Sequence, residues 1–358
     1  ESRGRDSLGF SINFLSRKKF DFTNKVSNKN EISFFLKKVS EKKYLFNLST
    51  KFAKRIGASG ENIAKTLEIF QKKSKLRKIK FEELISFEIF AHTRWASVGE
   101  VNNSNAHPLI QKKNSNLNLC LMNGDINNYV QLKKNLIQKK KYQLNDNQCK
   151  NDMQPIPTLF FESKKKINDL TNGSYVLINY NSSKYEQFYI YKKGTQGLYY
   201  TLDEDDNFHF ASDVYGLINK SNKFKILKRN GTFKINKKFI IELTKSSFTK
   251  TNLSTVDLSK KSMDTFFLKE VSDTEIFLKR TIDKYLDFEH NKFKSLDSFF
   301  NVKLENLLVD KKIKNIIFTG MGSCYTAAVG ISKYLNQKLN SIEHDFIKVE
   351  ATIASEGS

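Results

Sequence analysis

Between positions 92 and 128 this chain carries residues too chemically varied for a plain core strand. Reading from His92, the run is HTRWASVGEVNNSNAHPL, followed by an apolar stretch and then LMNGDINNY. Trp95, the sole tryptophan, follows Arg94 and precedes a glycine-containing turn. A guanidinium so placed can grip a carboxylate through two parallel hydrogen bonds, or pack with the indole as a surface corner. Asn123-Gly124 comes directly after the apolar stretch. Asn-Gly is the strongest two-residue hairpin signal. The same pair can also aim a side-chain amide and a backbone N–H at one developing negative charge. From the residues alone, both pairs of readings stay open.

Composition narrows the function classes. The 358 residues suffice for about two domains, and a hydrophobic content of 39% supplies their cores. A net charge of +23 admits nucleic acid, an anionic membrane surface or acidic substrates as partners. The lysines, however, are spread along the whole chain among Asn, Ile and Phe, with no arginine-rich tract and no nucleic-acid-binding signature. The charge therefore reads as solvated surface, and no nucleic-acid partner is expected. Cys120, Cys149 and Cys324 show no paired spacing and no matching histidine cluster. A disulfide framework and a metal site are thus disfavoured, and a reducing compartment is the default. No apolar stretch reaches the length of a membrane span. The opening ESRGRDSLGF is too polar for a secretory signal, so a cytoplasmic location is expected. The sequence does not open on Met, so its first residue need not be the protein's.

Apolar patterning divides the chain. LGFSINFL at 8–15 and LISFEIFA at 84–91 read as strands around a lysine-rich middle, in which an amphipathic helix starts at Glu61 after the turn GASG. Further strands are expected at 117–122, 175–180, 188–191 and 208–211, with helices at 129–137 and 155–161. An α+β domain with packed sheets fits this order better than a doubly wound parallel sheet. The Ser-, Thr- and Lys-rich run at 245–261 reads as a linker. Beyond it, Phe267, Val271 and residues 277–282 predict a long helix. A strand at 313–319, the loop and helix GMGSCYTAAVGISKYL, and a strand near 346–350 then form a βαβ pattern. The expected domains are 1–245 and 263–358, joined by 246–262.

Taken together, RGRDS at 3–7, HTRWASVGE, NAHP at 105–108 and NGDINNY at 123–129 follow the order seen in class II glutaminase domains. The chain most closely resembles the glucosamine-6-phosphate synthase family, the glutamine–fructose-6-phosphate aminotransferases. GSYVLINY at 173–180 and ASDVYGLI at 211–218 resemble that family's paired strands and ASD turn. The resemblance implies an N-terminal-nucleophile domain of αββα type, followed by the start of a Rossmann-like sugar isomerase (SIS) domain. It implies Asn123 and Gly124 as the oxyanion hole, and Arg94, Trp95, Ser97, His107 and Asp152 as the glutamine site, Asp146 being a rival to Asp152. Arg3 and Asp6 would support the site. The implied chemistry is attack of an N-terminal cysteine thiol on the glutamine amide, with its own α-amine as base. Ammonia would pass to a keto sugar phosphate, fructose 6-phosphate by default, without a cofactor. A homodimer through the sugar domains is implied.

There are departures from the family pattern. Arg3 stands almost at the start, where the family has its nucleophilic cysteine well upstream, so the chain as given is expected to lack that cysteine and any glutaminase activity. Ser97-Val98 replaces a Thr-His pair, and Arg5 replaces an aromatic. The stretch from Ser7 to His92 is longer than usual, which predicts an added helical insert. In the second domain, FFLKEVSDTE resembles the opening SIS helix, and Gly322, Ser323 and Cys324 match the family's Gly-Thr-Ser phosphate loop. A helix start there would meet an anion with free N–H groups. Gly320-Met321-Gly322 fails the dinucleotide fingerprint, because Tyr325 takes the third glycine's place. A non-catalytic sugar-phosphate-binding regulatory paralogue is the alternative from another class.

Overall fold

The structure is a computed structural model that describes residues 4, 6–20, 32–54, 60–73, 81–95, 99–139, 149–162, 166–251, 263, 266–287, 292–293, 312–320, 323–340 and 347–353. It divides into two compact units, Glu1–Leu258 and Ser259–Ser358.

The first unit is built on two antiparallel sheets. One comprises β1 (Ser7–Ser16), β2 (Ile32–Ser40), β3 (Lys43–Ala53) and β4 (Leu84–Arg94), in the order β2-β3-β1-β4. Helix α1 (Glu61–Lys73) lies between β3 and β4 in sequence. The second sheet has the order β12-β8-β7-β6-β5. It uses β5 (Leu109–Lys113), β6 (Asn116–Ile126), β7 (Gly173–Asn181), β8 (Gln187–Lys193) and β12 (Gly231–Asn236). Short helices α2 (Tyr129–Lys134), α3 (Ile156–Glu162) and α4 (Ile167–Leu170) separate β6 from β7. A smaller sheet of β9 (Tyr199–Leu202), β10 (Phe208–Ala211), β11 (Lys223–Ile226) and β13 (Thr249–Lys250) follows the order β10-β9-β11-β13, and α5 (Lys237–Thr244) precedes β13.

Side-chain alternation turns these sheets into layers. Along β1, Phe10, Ile12 and Phe14 face outward and pack with Ile69 and Phe70 of α1. Leu15 faces the other way, into a core shared by Phe90 of β4, Leu117, Leu119 and Leu121 of β6, and Val176 and Ile178 of β7. The intervening Cys120, Met122 and Leu177 meet Leu132, Met153, Ile156 and Leu159 from the helical side. Both faces of β6 are thus covered, which explains its largely apolar run LNLCLM, interrupted only by the buried Asn118; each fully buried leucine contributes on the order of 2 kcal/mol. The layers run α1, sheet, sheet, α2–α4, the αββα order expected from the resemblance.

Two expectations need revision. The stretch between Ser7 and His92 holds not only the helix but the hairpin β2–β3, whose register runs from Ile32↔Thr50 to Ser40↔Lys43. Its strands escaped notice because lysines occupy the solvent-facing positions and Asn and Ser the buried ones. The first unit also extends past 245, because Thr249–Lys250 pairs with Lys223–Phe224 of β11; residues 252–262 of the expected linker lie outside the described residues.

In the second unit, α6 (Phe266–Tyr285) precedes a small pairing of β14 (Leu286–Asp287) with β15 (Lys292–Phe293). Strand β16 (Asn315–Gly320), helix α7 (Ser323–Asn340) and β17 (Lys348–Ile353) then form a parallel βαβ unit, with Asn315↔Lys348 to Gly320↔Ile353 in register. Asn336 of α7 clamps β17 by donating to the Val349 carbonyl at 2.8 Å and accepting from its N–H at 3.1 Å. A Cβ on Gly320 would stand 2.7 Å from the Cys324 carbonyl carbon, so the strand-to-helix turn admits only glycine there.

Between the two large sheets lies a buried polar ladder. Ser11 meets Ser49 at 2.6 Å, and the Asn47 amide donates to both Ser11 and Asn13 at 2.7 Å. Register produces it: β1 pairs Ser11 with Ser49 and Asn13 with Asn47. On the other side of β1, Asn13 pairs with Glu88. Burial raises the Glu88 carboxyl from 4.5 to about 7, with the neighbouring Asn13 amide partly offsetting the shift. The folded protein therefore holds this proton more tightly than the unfolded chain does. The associated stability is complete below pH 4.5 and is lost as pH rises through 7. Glu88→Gln should accordingly match the parent near pH 4 and exceed it above pH 8 by up to roughly 3 kcal/mol. Urea unfolding at the two pH values checks this, and equal stabilities at high pH would contradict it.

Candidate functional site

The end of β4 meets the start of β1. The Asp6 N–H donates to the Arg94 carbonyl at 3.0 Å, and Ser7 pairs with Arg94. Arg94 is only 7% exposed. Burial lowers its pKa, and the nearby Asp152, Cys149 and Asp6 oppose that shift in that order. Its Nη1 also donates to the Glu100 carbonyl at 3.5 Å.

Two loops close around this guanidinium, and Asn105 ties them together. Its side chain donates to the Glu100 carbonyl at 2.8 Å and accepts from the Lys150 N–H at 2.7 Å. Its own carbonyl accepts from the Asn151 amide at 3.0 Å. Gly99, at φ +82, lets the first loop press on the second, since a Cβ there would stand 2.7 Å from the Lys150 carbonyl. Asp152 sits in the second loop, 7% exposed, and its Oδ2 accepts from the Ile126 N–H at 2.8 Å. Burial raises the Asp152 pKa; the Ile126 hydrogen bond and Arg94 pull it back. Asp146 lies outside the described residues.

His107 completes the floor. Its Nδ1 accepts from the Met122 N–H at 3.4 Å, and its ring lies 4.6 Å from that of His92. Both imidazoles are held neutral by burial, His92 at about 4 and His107 well below its ordinary value. Space for this packing comes from Gly9, where a Cβ would stand 1.6 Å from the His107 carbonyl oxygen.

Asn123-Gly124 is not a hairpin turn. Both residues lie within β6, with Gly124 opposite Tyr175 and at φ +109. A Cβ on Gly124 would stand 2.1 Å from the Ser174 carbonyl, so close strand approach, not a turn, requires the glycine. Strand alternation directs the N–H groups of residues 122, 124 and 126 to one edge. The outer two end on His107 and Asp152, so the Gly124 amide is aimed between them. The Asn123 side-chain amide donates to Gln196 Oε1 at 3.2 Å.

Arg94, Asp6 and Asp152 thus lie together beside His107, and Gly124 stands on β6 between the positions whose N–H groups reach His107 and Asp152. Trp95, adjacent, is 70% exposed. Ser97, Arg3 and Gly322 lie outside the described residues. In the second unit Ser323 opens α7 and Cys324 follows, with an exposed thiol. Sequence reading missed His92, Asn105, Asn151 and Gln196 as parts of the site, although His92 opens the quoted HTRWASVGE run and Asn105 lies inside NAHP; Gln196 carried no local signal. Chemically, the region offers a buried cation and a carboxylate, neutral imidazoles beside them, and the Asn123-Gly124 amides on β6. Among the described residues no group of three or more His, Cys, Asp or Glu could hold a metal, and no helix is long and apolar enough to cross a membrane.

With this geometry in hand, comparison with known proteins is informative. The family described as glutamine amidotransferase domain matches residues 84–252. A glutamine–fructose-6-phosphate aminotransferase (isomerizing) from Cyanidium caldarium is 28% identical over 76% of this chain and 45% of its own length. Its namesake from Helicobacter pylori is 27% identical over 82% of this chain and 47% of its own. One from Methanococcus maripaludis is 30% identical over 35% of this chain and 19% of its own. The chain thus spans about half the length of the first two relatives.

The loop tie makes a testable demand. Asn105→Ala leaves the Lys150 N–H and Glu100 carbonyl without their side-chain partner and should destabilise the full chain by roughly 1–3 kcal/mol. Denaturant unfolding reads this directly; a loss below ~0.5 kcal/mol contradicts it.

Proposed function

Because the chain is a glucosamine-6-phosphate synthase-like member of the glutamine amidotransferase family, we propose that its first unit binds L-glutamine. It would serve as the glutaminase half of an enzyme that moves the amide nitrogen to a keto sugar phosphate. The supporting observation is the pairing of a buried cation and a buried carboxylate, Arg94 and Asp152, each 7% exposed, with the amide donors of Asn123-Gly124.

In this reading the Arg94 guanidinium takes the α-carboxylate through two hydrogen bonds. Asp152 takes the α-ammonium, whose charge would draw its raised pKa back down. The extended side chain then carries the δ-amide to Asn123 and Gly124. Thiol attack on that amide generates a tetrahedral oxyanion, and each donor aimed at it is worth ~10²–10³ in turnover. Cys120 does not supply the thiol: it is fully buried, and burial pushes its pKa up to about 12. Asp6, at the β1–β4 junction, supports Arg94. Trp95 and His107 would border the glutamine, and the resemblance implies the same of Ser97.

The second unit would contribute the sugar-phosphate half. Its βαβ turn, with Gly322, Ser323 and Cys324, would receive the phosphate at the start of α7, and fructose 6-phosphate is the default acceptor. Pairing of two chains through these units is part of the proposal.

Isothermal titration of the full chain with L-glutamine tests the first step. Saturable binding is expected, and Arg94→Met and Asp152→Asn should each weaken it by about 30-fold or more. Absence of saturable binding, or indifference to both substitutions, overturns the assignment.

A further inference from the structure

The acceptor of the Asn123 amide is itself a glutamine side chain. We infer that Gln196 is an internal occupant of the amide-oxygen subsite, which a glutamine substrate must displace; this rests on the reading of the cleft given above. The primary carboxamide of Gln196 is the functional group on which the proposed chemistry acts. Its Oε1 accepts from Asn123 Nδ2 at 3.2 Å, the contact assigned to the substrate's amide oxygen. Its stem also packs beside Gly124, with Gln196 Cγ 2.9 Å from where a Cβ of Gly124 would stand. This half-buried side chain thus occupies the proposed side-chain donor and lies against the glycine next to it.

The loop carrying it is held on both sides of Gln196. Gln196 stands in Gly194-Thr195-Gln196-Gly197, between β8 and β9. The upstream side is pinned: the Thr195 N–H donates to Ser174 Oγ at 3.0 Å, and Lys192 Nζ donates to the Gly194 carbonyl at 2.9 Å. Downstream, Leu198 is buried in the core and its carbonyl accepts from the Leu227 N–H at 2.8 Å. Withdrawal is therefore a rotation of the Gln196 side chain about its own bonds, which leaves β8 intact.

The exchange is non-covalent and balanced: Asn123 gives up one carboxamide oxygen and receives another. The apparent affinity for glutamine is then the intrinsic affinity reduced by the fraction of molecules in which Gln196 is withdrawn. Because Gln196 is tethered while the substrate is not, it acts as a gate on low glutamine concentrations. A ligand with the same α-groups but no amide has no cause to displace it.

Titration of the full chain with L-glutamine and with L-norvaline, which lacks the amide, separates the possibilities. Gln196→Ala should tighten glutamine binding by about five- to tenfold and leave norvaline unchanged. Gln196→Glu, a stronger acceptor for the Asn123 amide, should weaken glutamine binding relative to the parent. If glutamine binds the parent and Gln196→Ala leaves that affinity equal or weaker, Gln196 is no competitor, while the glutamine-site assignment stands. If neither protein binds glutamine, both fail. Equal tightening of glutamine and norvaline also overturns the inference, because it points to general opening of the cleft.

Discussion

A guanidinium cannot remain charged in a protein interior without counter-charge and hydrogen bonds, and the first unit is organised around meeting that demand for Arg94. Pairing of β1 with β4 brings Asp6 beside it, and the second loop brings Asp152. Asn105 fastens the two loops to each other. These groups come from four separate stretches of sequence, so the αββα sandwich is the device that assembles them. The Asp152 carboxylate is in turn fixed by the Ile126 N–H of β6, so strand geometry sets the distance between the cleft's charged and amide ends.

The cleft's walls follow the same logic with the opposite sign. His92 and His107 are buried beside Arg94, and both burial and its positive charge keep them neutral. On the proposed reading, a zwitterionic ligand would meet Arg94 and Asp152 at its charged end and neutral imidazoles beside them. Glycines at positions 9 and 124 permit this compactness, because in each case a neighbouring backbone carbonyl occupies the space of a side chain. The polar ladder below the cleft is less readily explained: Glu88 is buried there at some cost to stability at neutral pH, and the structure supplies no compensating ion pair for it among the described residues.

How much of this was legible beforehand depended on the range of the interaction. Largely apolar runs such as LNLCLM and SYVLINY announced strands, and they are β6 and β7. The pattern around α1 was equally local. Asn123-Gly124 shows the limit of local reading: the pair carries the chemistry of a turn, yet Gly124 answers to Ser174, fifty residues away on the neighbouring strand. The β2–β3 hairpin was obscured because Asn47 and Ser49 occupy core positions that pattern rules assign to apolar residues. Asp152 was reached only through family resemblance, and Asn151 and Gln196 act across tens of residues, which spacing does not encode.

The central claim is that one small molecule spans from Arg94 and Asp152 to Asn123 and Gly124. A crystal structure of the full chain with L-glutamine tests it most directly. The account predicts the ligand's carboxylate on the Arg94 guanidinium, its ammonium on Asp152 and its amide oxygen within hydrogen-bond reach of Asn123. Glutamine bound in another place, or bound in this cleft with its amide turned away from β6, contradicts it.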